Sequence, residues 1–298
     1  MKLSLATSAL YPFTSRFLEL DGLRYHYLDE GHGAPVLMVH GNPTWSFYYR
    51  DLISALRGDR RVVVPDHIGC GMSDKPQEYP YQLRQHIDNL ERLVLSLDLR
   101  DITLVVHDWG GAIGFGMAVR HPERIRRMII FNTAAFRSSF MPWLLSVARV
   151  PVLGDILIRG CNAFAGLATR LAIHHHDRMT PAVKAGYLAP YDSWANRIAT
   201  LRFVQDIPTH PRHPSYTTLA EVEARLPLLA DRPAMLIWGM RDWVFTPAFL
   251  AQWLSIYPHA DVRRMHDAGH YVVEDAHERI VPWMRHFMTK DRIAENAR

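Results

Sequence analysis

One short stretch, Ile102 to Val119, restricts this chain more than any other. Ile102 to Val106 is a continuous apolar run, as expected of a strand buried on both faces. Ala112 to Val119 is rich in Gly and Ala and reads as a helix packed close against a sheet. Between them stand His107, Asp108, Trp109, Gly110 and Gly111. A strand that passes this abruptly into a helix makes a sharp, strained turn, and small neighbours leave the side chain at its apex exposed above the sheet. The usual apical residue is Ser; here it is Asp108. A carboxylate is ionised at neutral pH and needs no base to become a nucleophile. It attacks an electrophilic carbon to give an alkyl ester or, at a carbonyl, a mixed anhydride. That disfavours ordinary esterase and peptidase chemistry and favours haloalkanes, epoxides and strained rings.

The rest of the chain supplies a sheet for this turn. Arg16 to Leu20 and Leu23 to Leu28 flank Asp21-Gly22, a hairpin signal. Val36 to Val39, Arg61 to Val64, Arg127 to Phe131, Ala234 to Trp238 and Asp261 to Met265 read as further strands, making eight with Ile102 to Val106. Helical patterns alternate with them: Trp45 to Leu56, an amphipathic run through Ile87, Leu90, Leu93, Val94 and Leu97, Pro247 to Ile256, and a closing helix Val281 to Met288 with Pro282 in its first turn. The pattern predicts an α/β fold, a mostly parallel eight-stranded sheet with helices on both faces. The alternation stops from residue 133 to residue 213, which reads as a helical cap inserted between core segments 1–132 and 214–298.

Composition narrows the class. The 298 residues carry a net charge of +4 and no Lys/Arg cluster interleaved with aromatics, so nucleic acid is not an expected partner. The mild basicity suits solubility, an acidic partner or a membrane surface. Cys70 and Cys161 lack metal spacing and are too few for a disulfide framework; both are expected to be small buried hydrophobes in a reducing, cytoplasmic setting. No signal peptide is read at the start, and no stretch reaches the roughly 18 apolar residues of a membrane span. His174, His175 and His176 are consecutive, point in different directions, and are expected to lie exposed on the cap rather than bind a metal. No cofactor is implied.

In an open α/β sheet, functional groups gather beyond the carboxyl ends of the strands. Four segments sit there: Val39 to Pro43, Asp108-Trp109, Trp238 to Asp242, and Asp267 to His270. Alone, Asp108 could be a helix N-cap, Trp109 and His270 core residues, and Asp242 the start of a turn. Together, nucleophile, acid and histidine follow the chain order of an α/β-hydrolase triad. Asp108 would attack, His270 would handle a proton or water, and Asp242 would fix the tautomer of His270 and stabilise its imidazolium. The backbone N–H groups of Asn42 and Trp109 would form an oxyanion hole, with their side-chain N–H groups aimed at the same space.

From His40 to His270 the chain resembles the haloalkane dehalogenase branch of the α/β-hydrolase superfamily. His40 to Ser46 (HGNPTWS), Pro65 to Pro76 (PDHIGCGMSDKP) and His107 to Gly111 (HDWGG) carry the likeness, as do Asp108, His270, Asp242, Asn42 and Trp109 as a set. The cap resembles a narrower group. Ala189 to Trp194, Asn196 to Thr200 and Arg202 to Pro208 look like the OleB family, the β-lactone decarboxylases of bacterial long-chain olefin biosynthesis. Asn132 to Phe136 and Trp238 to Phe245 agree. The resemblance implies conversion of a cis-3,4-dialkyl β-lactone to a cis-alkene and carbon dioxide, with His270 assisting the regeneration of Asp108. It also implies association with the β-lactone synthetase of the same pathway; self-association stays open. Phe136, Trp143, Phe164 and Trp194 are the candidate pocket for a hydrophobic substrate, and Arg197 and Arg202 are expected to pair with Asp192 or Asp206.

Three other readings use the same residues. A hydrolytic haloalkane dehalogenase needs the same five. An epoxide hydrolase would need two cap tyrosines on the epoxide oxygen, from Tyr187, Tyr191 and Tyr216. A non-catalytic binding module would have lost a triad member, and none is missing.

Overall fold

The computed structural model describes residues 4–295, with side chains through residue 289. Eight strands form one sheet: β1 (Arg16–Leu20), β2 (Leu23–Gly31), β3 (Pro35–Val39), β4 (Arg61–Pro65), β5 (Ile102–Asp108), β6 (Ile125–Thr133), β7 (Ala234–Gly239) and β8 (Asp261–Met265). Their order is β1-β2-β4-β3-β5-β6-β7-β8. The β1–β2 and β2–β4 pairs are antiparallel and the remaining pairs parallel. The expected eight-stranded α/β sheet is therefore present. At the first hairpin Asp21 and Gly22 both have positive φ, 53° and 81°, the backbone that a tight two-residue turn requires.

The continuous apolar runs follow from burial on both sides. Leu37 and Val39 of β3 and Leu104 and Val106 of β5 face the helices Leu83–Ser96 and Trp109–Ala118. Val36, Met38 and Val105 face the opposite way, toward Arg50–Leu56 and the last helix. Each face is a separate apolar layer, so the central strands have no polar side to alternate with.

Two expectations change at the edges. The closing helix runs Val272–Glu295, with a non-helical break at Ala276 (φ −156°), so it starts well before Val281. Pro282 accordingly lies inside the helix rather than in its first turn; the polar residues from Glu274 to Arg279 masked the start. A short helix, Leu5–Ala9, precedes β1; Ser4 caps it by accepting from the Thr7 N–H.

From Ala134 to Ser215 the described backbone contains helices and turns and no strand. This segment lies over the carboxyl ends of the strands and is tied down by polar contacts. Trp45 Nε1 donates to the Gly186 carbonyl at 3.0 Å, and Trp243 Nε1 to that of Leu171 at 3.1 Å. Arg50 and Glu274 form a buried two-pronged ion pair at 2.8 and 2.7 Å, and Tyr187 donates its hydroxyl to the same carboxylate at 2.7 Å. The Asp275 carboxylate accepts from the backbone N–H groups of His174 and His175. The three histidines are thus only partly a surface run: His176 is exposed, whereas His174 and His175 are half-buried against the core. No three His, Cys, Asp or Glu side chains among the described residues are grouped to hold a metal.

Candidate active site

Asp108 ends β5 with φ 51° and ψ −128°, a left-handed backbone that a non-glycine residue adopts only under constraint. The constraint is visible on both sides. A Cβ on Gly110 would stand 2.0 Å from the Val39 carbonyl oxygen, and one on Gly41 would stand 2.0 Å from Asp108 Oδ1. Both positions must therefore be glycine if the turn is to sit against β3. Thr133 donates its hydroxyl to the Asp108 carbonyl and holds the turn from the β6 side.

The other site residues arrive from the ends of neighbouring strands. Asn42 follows β3, Asp242 follows β7 and His270 follows β8; all are buried together with Asp108. His270 Nδ1 meets Asp242 Oδ2 at 2.8 Å, and its Nε2 lies 3.7 Å from Asp108 Oδ2. Asp242 Oδ1 accepts from the backbone N–H groups of Val244 and Phe245 at 2.7 and 3.1 Å. Asp242 thus starts a turn with one oxygen and meets the His270 ring with the other. His107 Nε2 lies 2.8 Å from the His270 carbonyl, and burial keeps the His107 ring well below the usual imidazole range, so it is a neutral support.

Burial pushes the Asp108 carboxyl up, against the opposing pull of His270 and of the Asn42 and Trp109 backbone N–H groups. Burial alone would lower His270. The Asp242 charge and hydrogen bond, helped by Asp108, outweigh it and raise His270 above its ordinary value. Nucleophile and imidazole thus face each other at 3.7 Å, with a second, fully buried carboxylate on the far ring nitrogen.

One expected role changes. Asn42 N–H donates to Asp108 Oδ1 at 2.6 Å, and the Trp109 N–H is directed at the same carboxylate. The two backbone donors grip the nucleophile and are not open to an external oxyanion. A carboxylate has a second oxygen where a serine has none, and here that oxygen fills the position. The side-chain donors remain. Asn42 Nδ2 uses one hydrogen on the Thr200 carbonyl of the cap, at 3.1 Å, and keeps the other. The Trp109 indole N–H has no acceptor among the described residues.

These groups form the floor of an apolar cavity of about 300 Å³. Phe136 and Phe164 line it, as do Tyr271, Phe245 and Phe249. Trp143 and Trp194 do not: they are 72% and 48% exposed. Trp143 opens a short helix with its side chain outward, and Arg159 stacks 4.6 Å over the Trp194 ring. Residue type pointed to a pocket; direction was set by helix faces that only the folded cap defines. Tyr187 is committed to Glu274, Tyr216 receives a hydrogen bond from Arg137, and buried Tyr191 lies off the cavity, so no pair of them reaches Asp108. Arg197 binds the carbonyls of Tyr191, Arg159 and Gly160, and Arg202 binds Gln205; neither pairs with Asp192 or Asp206. Cys70 is buried as expected, but Cys161 is exposed.

Residues 34–276 match the family model described as alpha/beta hydrolase fold. The cis-3-alkyl-4-alkyloxetan-2-one decarboxylase of Shewanella oneidensis is 48% identical over 287 residues, covering 94% of this chain and 90% of that one. Haloalkane dehalogenase 2 of Mycobacterium bovis is 37% identical over 279 residues, covering 91% and 93%. The crystal structure of haloalkane dehalogenase DatA from Agrobacterium tumefaciens C58 superposes with a TM-score of 0.85 at 26% identity, over 95% of this chain and 99% of that chain. With the elbow, the buried Asp–His pair and the helical cap in place, the chain belongs to the alpha/beta hydrolase family, in the group that joins the oxetanone decarboxylases to the haloalkane dehalogenases.

Proposed function

We propose that the protein decarboxylates cis-3,4-dialkyl β-lactones to cis-alkenes, with Asp108 as nucleophile. The observation that carries the lactone over the haloalkane is the identity gap: 48% to the decarboxylase against 37% to the dehalogenase, at similar coverage. An apolar cavity closed at its base by one carboxylate and two side-chain N–H donors suits a substrate with two alkyl chains and one compact polar ring.

The arrangement of donors favours one order of bond changes. With Oδ1 gripped by the Asn42 N–H, Oδ2 is the attacking atom. It displaces the ring oxygen from the ring carbon that carries it. The C–O pair stays on that oxygen, which becomes half of a free carboxylate. The Asn42 Nδ2 and Trp109 Nε1 hydrogens stabilise this emerging anion. The carboxylate then leaves as carbon dioxide, its C–C pair becomes the alkene π bond, and the ester C–O bond breaks to return the electron pair to Asp108. Neither water nor a proton is consumed. Inversion in the first step and anti departure in the second turn a cis lactone into a cis alkene. Attack at the lactone carbonyl would instead need an oxyanion hole, and the backbone donors for one already hold Asp108.

His270 has a different task in the two chemistries. In decarboxylation its imidazolium, raised by Asp242 and Asp108, stabilises Asp108 as it departs. In haloalkane hydrolysis a neutral His270 must activate water against the alkyl ester. The expected place of this reaction is the last step of long-chain olefin formation. The test is product analysis with a synthetic cis-β-lactone. Alkene and carbon dioxide in equal amounts support the reading; a β-hydroxy acid, or faster turnover of 1-iodobutane, overturns it.

A further inference from the structure

Of the exposed large apolar side chains among the described residues, nine lie between Phe140 and Leu171 and five elsewhere. Scattered single residues of this kind need no explanation, but a concentration in one segment does. The helices Trp143–Ala148, Asp155–Gly160 and Ala163–Leu171 pack together in the cap, where Ala148 and Ile158 are buried with Leu201 and Val204. Their outer side carries Trp143 at 72%, Val152 at 69% and Ile156 at 52% exposure. Val152 has φ 64°, so a β-branched apolar residue is held in a strained backbone and presented to the outside.

Two further observations say what this face meets. Phe140, Val147, Leu167 and Leu171 are exposed and also line the Asp108 cavity, so part of this segment forms the rim of its mouth. The segment also carries three arginines, Arg149, Arg159 and Arg170, against one acid, Asp155, which Arg159 pairs at 3.4 Å. Exposed Trp and Phe beside aliphatics, with a surplus of arginine, is the composition of a surface that lies in a lipid headgroup layer. Cations beside it are drawn to anionic lipid.

We infer that this face of the cap docks on an anionic phospholipid bilayer, with the cavity mouth against the membrane. Trp143, Val152 and Ile156 enter the headgroup boundary and Arg149 and Arg170 meet lipid phosphates. An apolar ligand then passes between bilayer and cavity without crossing water, a transfer that would cost free energy for every exposed methylene. A second copy of the chain or another protein would also cover an apolar face, but neither needs the face to ring the cavity mouth.

The test is flotation of the full chain with vesicles of phosphatidylcholine alone or mixed with phosphatidylglycerol. It is run for the wild type and for the combined Trp143→Ser, Val152→Asn and Ile156→Ser variant. None of these side chains lines the cavity, and Asn accepts the left-handed backbone at residue 152. The wild type should bind phosphatidylglycerol vesicles, more weakly at high salt, and the variant should bind about tenfold less. The variant should keep its circular dichroism and its turnover of a short, water-soluble β-lactone. Absence of vesicle binding by the wild type overturns the inference. So does equal binding by the variant, or self-association that the variant abolishes while no vesicles are bound. Vesicle binding is read without turnover, so the outcome is independent of which substrate Asp108 attacks.

Discussion

The floor of the site and the cap above it are built on opposite terms. In the floor each group of the Asp108, His270 and Asp242 set has a stated partner. Asp108 is gripped by backbone N–H groups, His270 by Asp242, and Asp242 by its own turn. The backbone there admits no Cβ at Gly41 or Gly110. The cap is held to the floor at a few points, and its own interior is a small cluster of four buried residues. Its other apolar side chains pack onto the two core layers, line the cavity or face outward. Chemistry that depends on a few tenths of an ångström sits on strand ends packed from two sides. Recognition of flexible alkyl chains needs only apolar area and sits on the helices of the cap.

The largest expected effect breaks the floor alone. Asp108→Ala should lower lactone turnover by about 10⁴-fold or more, read as alkene by gas chromatography, with thermal unfolding little changed. Retained turnover would remove Asp108 from the chemistry. The core ion pair on which the cap residue Tyr187 rests comes next. Arg50→Met leaves Glu274 buried without its cation, and urea unfolding should report a loss of about 3–5 kcal/mol. A loss below about 1 kcal/mol would mean that the pair is not a structural tie.

His270 sharpens the comparison between the two chemistries that one floor supports. His270→Gln should slow lactone decarboxylation about 10- to 100-fold. A haloalkane should instead stall as an alkyl ester on Asp108, seen as an added mass on the intact protein. The pH profiles should differ in sign. Because Asp242 and Asp108 raise His270, its imidazolium is full below the ordinary imidazole value and is lost as pH rises through the raised one. Lactone turnover should fall across that window and haloalkane hydrolysis should rise. Toward acid, protonation of the upward-shifted Asp108 carboxyl should silence both. The smallest effect belongs to the cap. Phe164→Ala should change kcat/KM for long-chain over short-chain lactones by about three- to tenfold, through KM and not kcat.

What could be read in the sequence divides along the same line. The strand runs, the elbow and the order of Asp108, Asp242 and His270 are local patterns, and local patterns survive without coordinates. The aromatic and arginine side chains of the cap are not of that kind. Trp143 and Trp194 have the right chemistry for a pocket and the wrong direction, because short helices aim them only after the cap packs. Arg197 found carbonyls at helix ends instead of a carboxylate, since unpaired carbonyls gather there. The use of the Asn42 and Trp109 N–H groups was also out of reach. Backbone donors are present at every residue, and only the left-handed turn at Asp108 shows which of them its carboxylate takes. Tyr271 and Phe249 reach the cavity from segments that sequence patterns mark as the flank of a catalytic residue and an ordinary helix.

The most direct measurement pairs two substrates on one enzyme preparation: a cis-3,4-dialkyl β-lactone and 1-iodobutane, compared by kcat/KM with products identified by gas chromatography. The expected result is cis-alkene from the lactone, at a rate well above halide release from the iodoalkane. Faster halide release, or a β-hydroxy acid in place of the alkene, would contradict it.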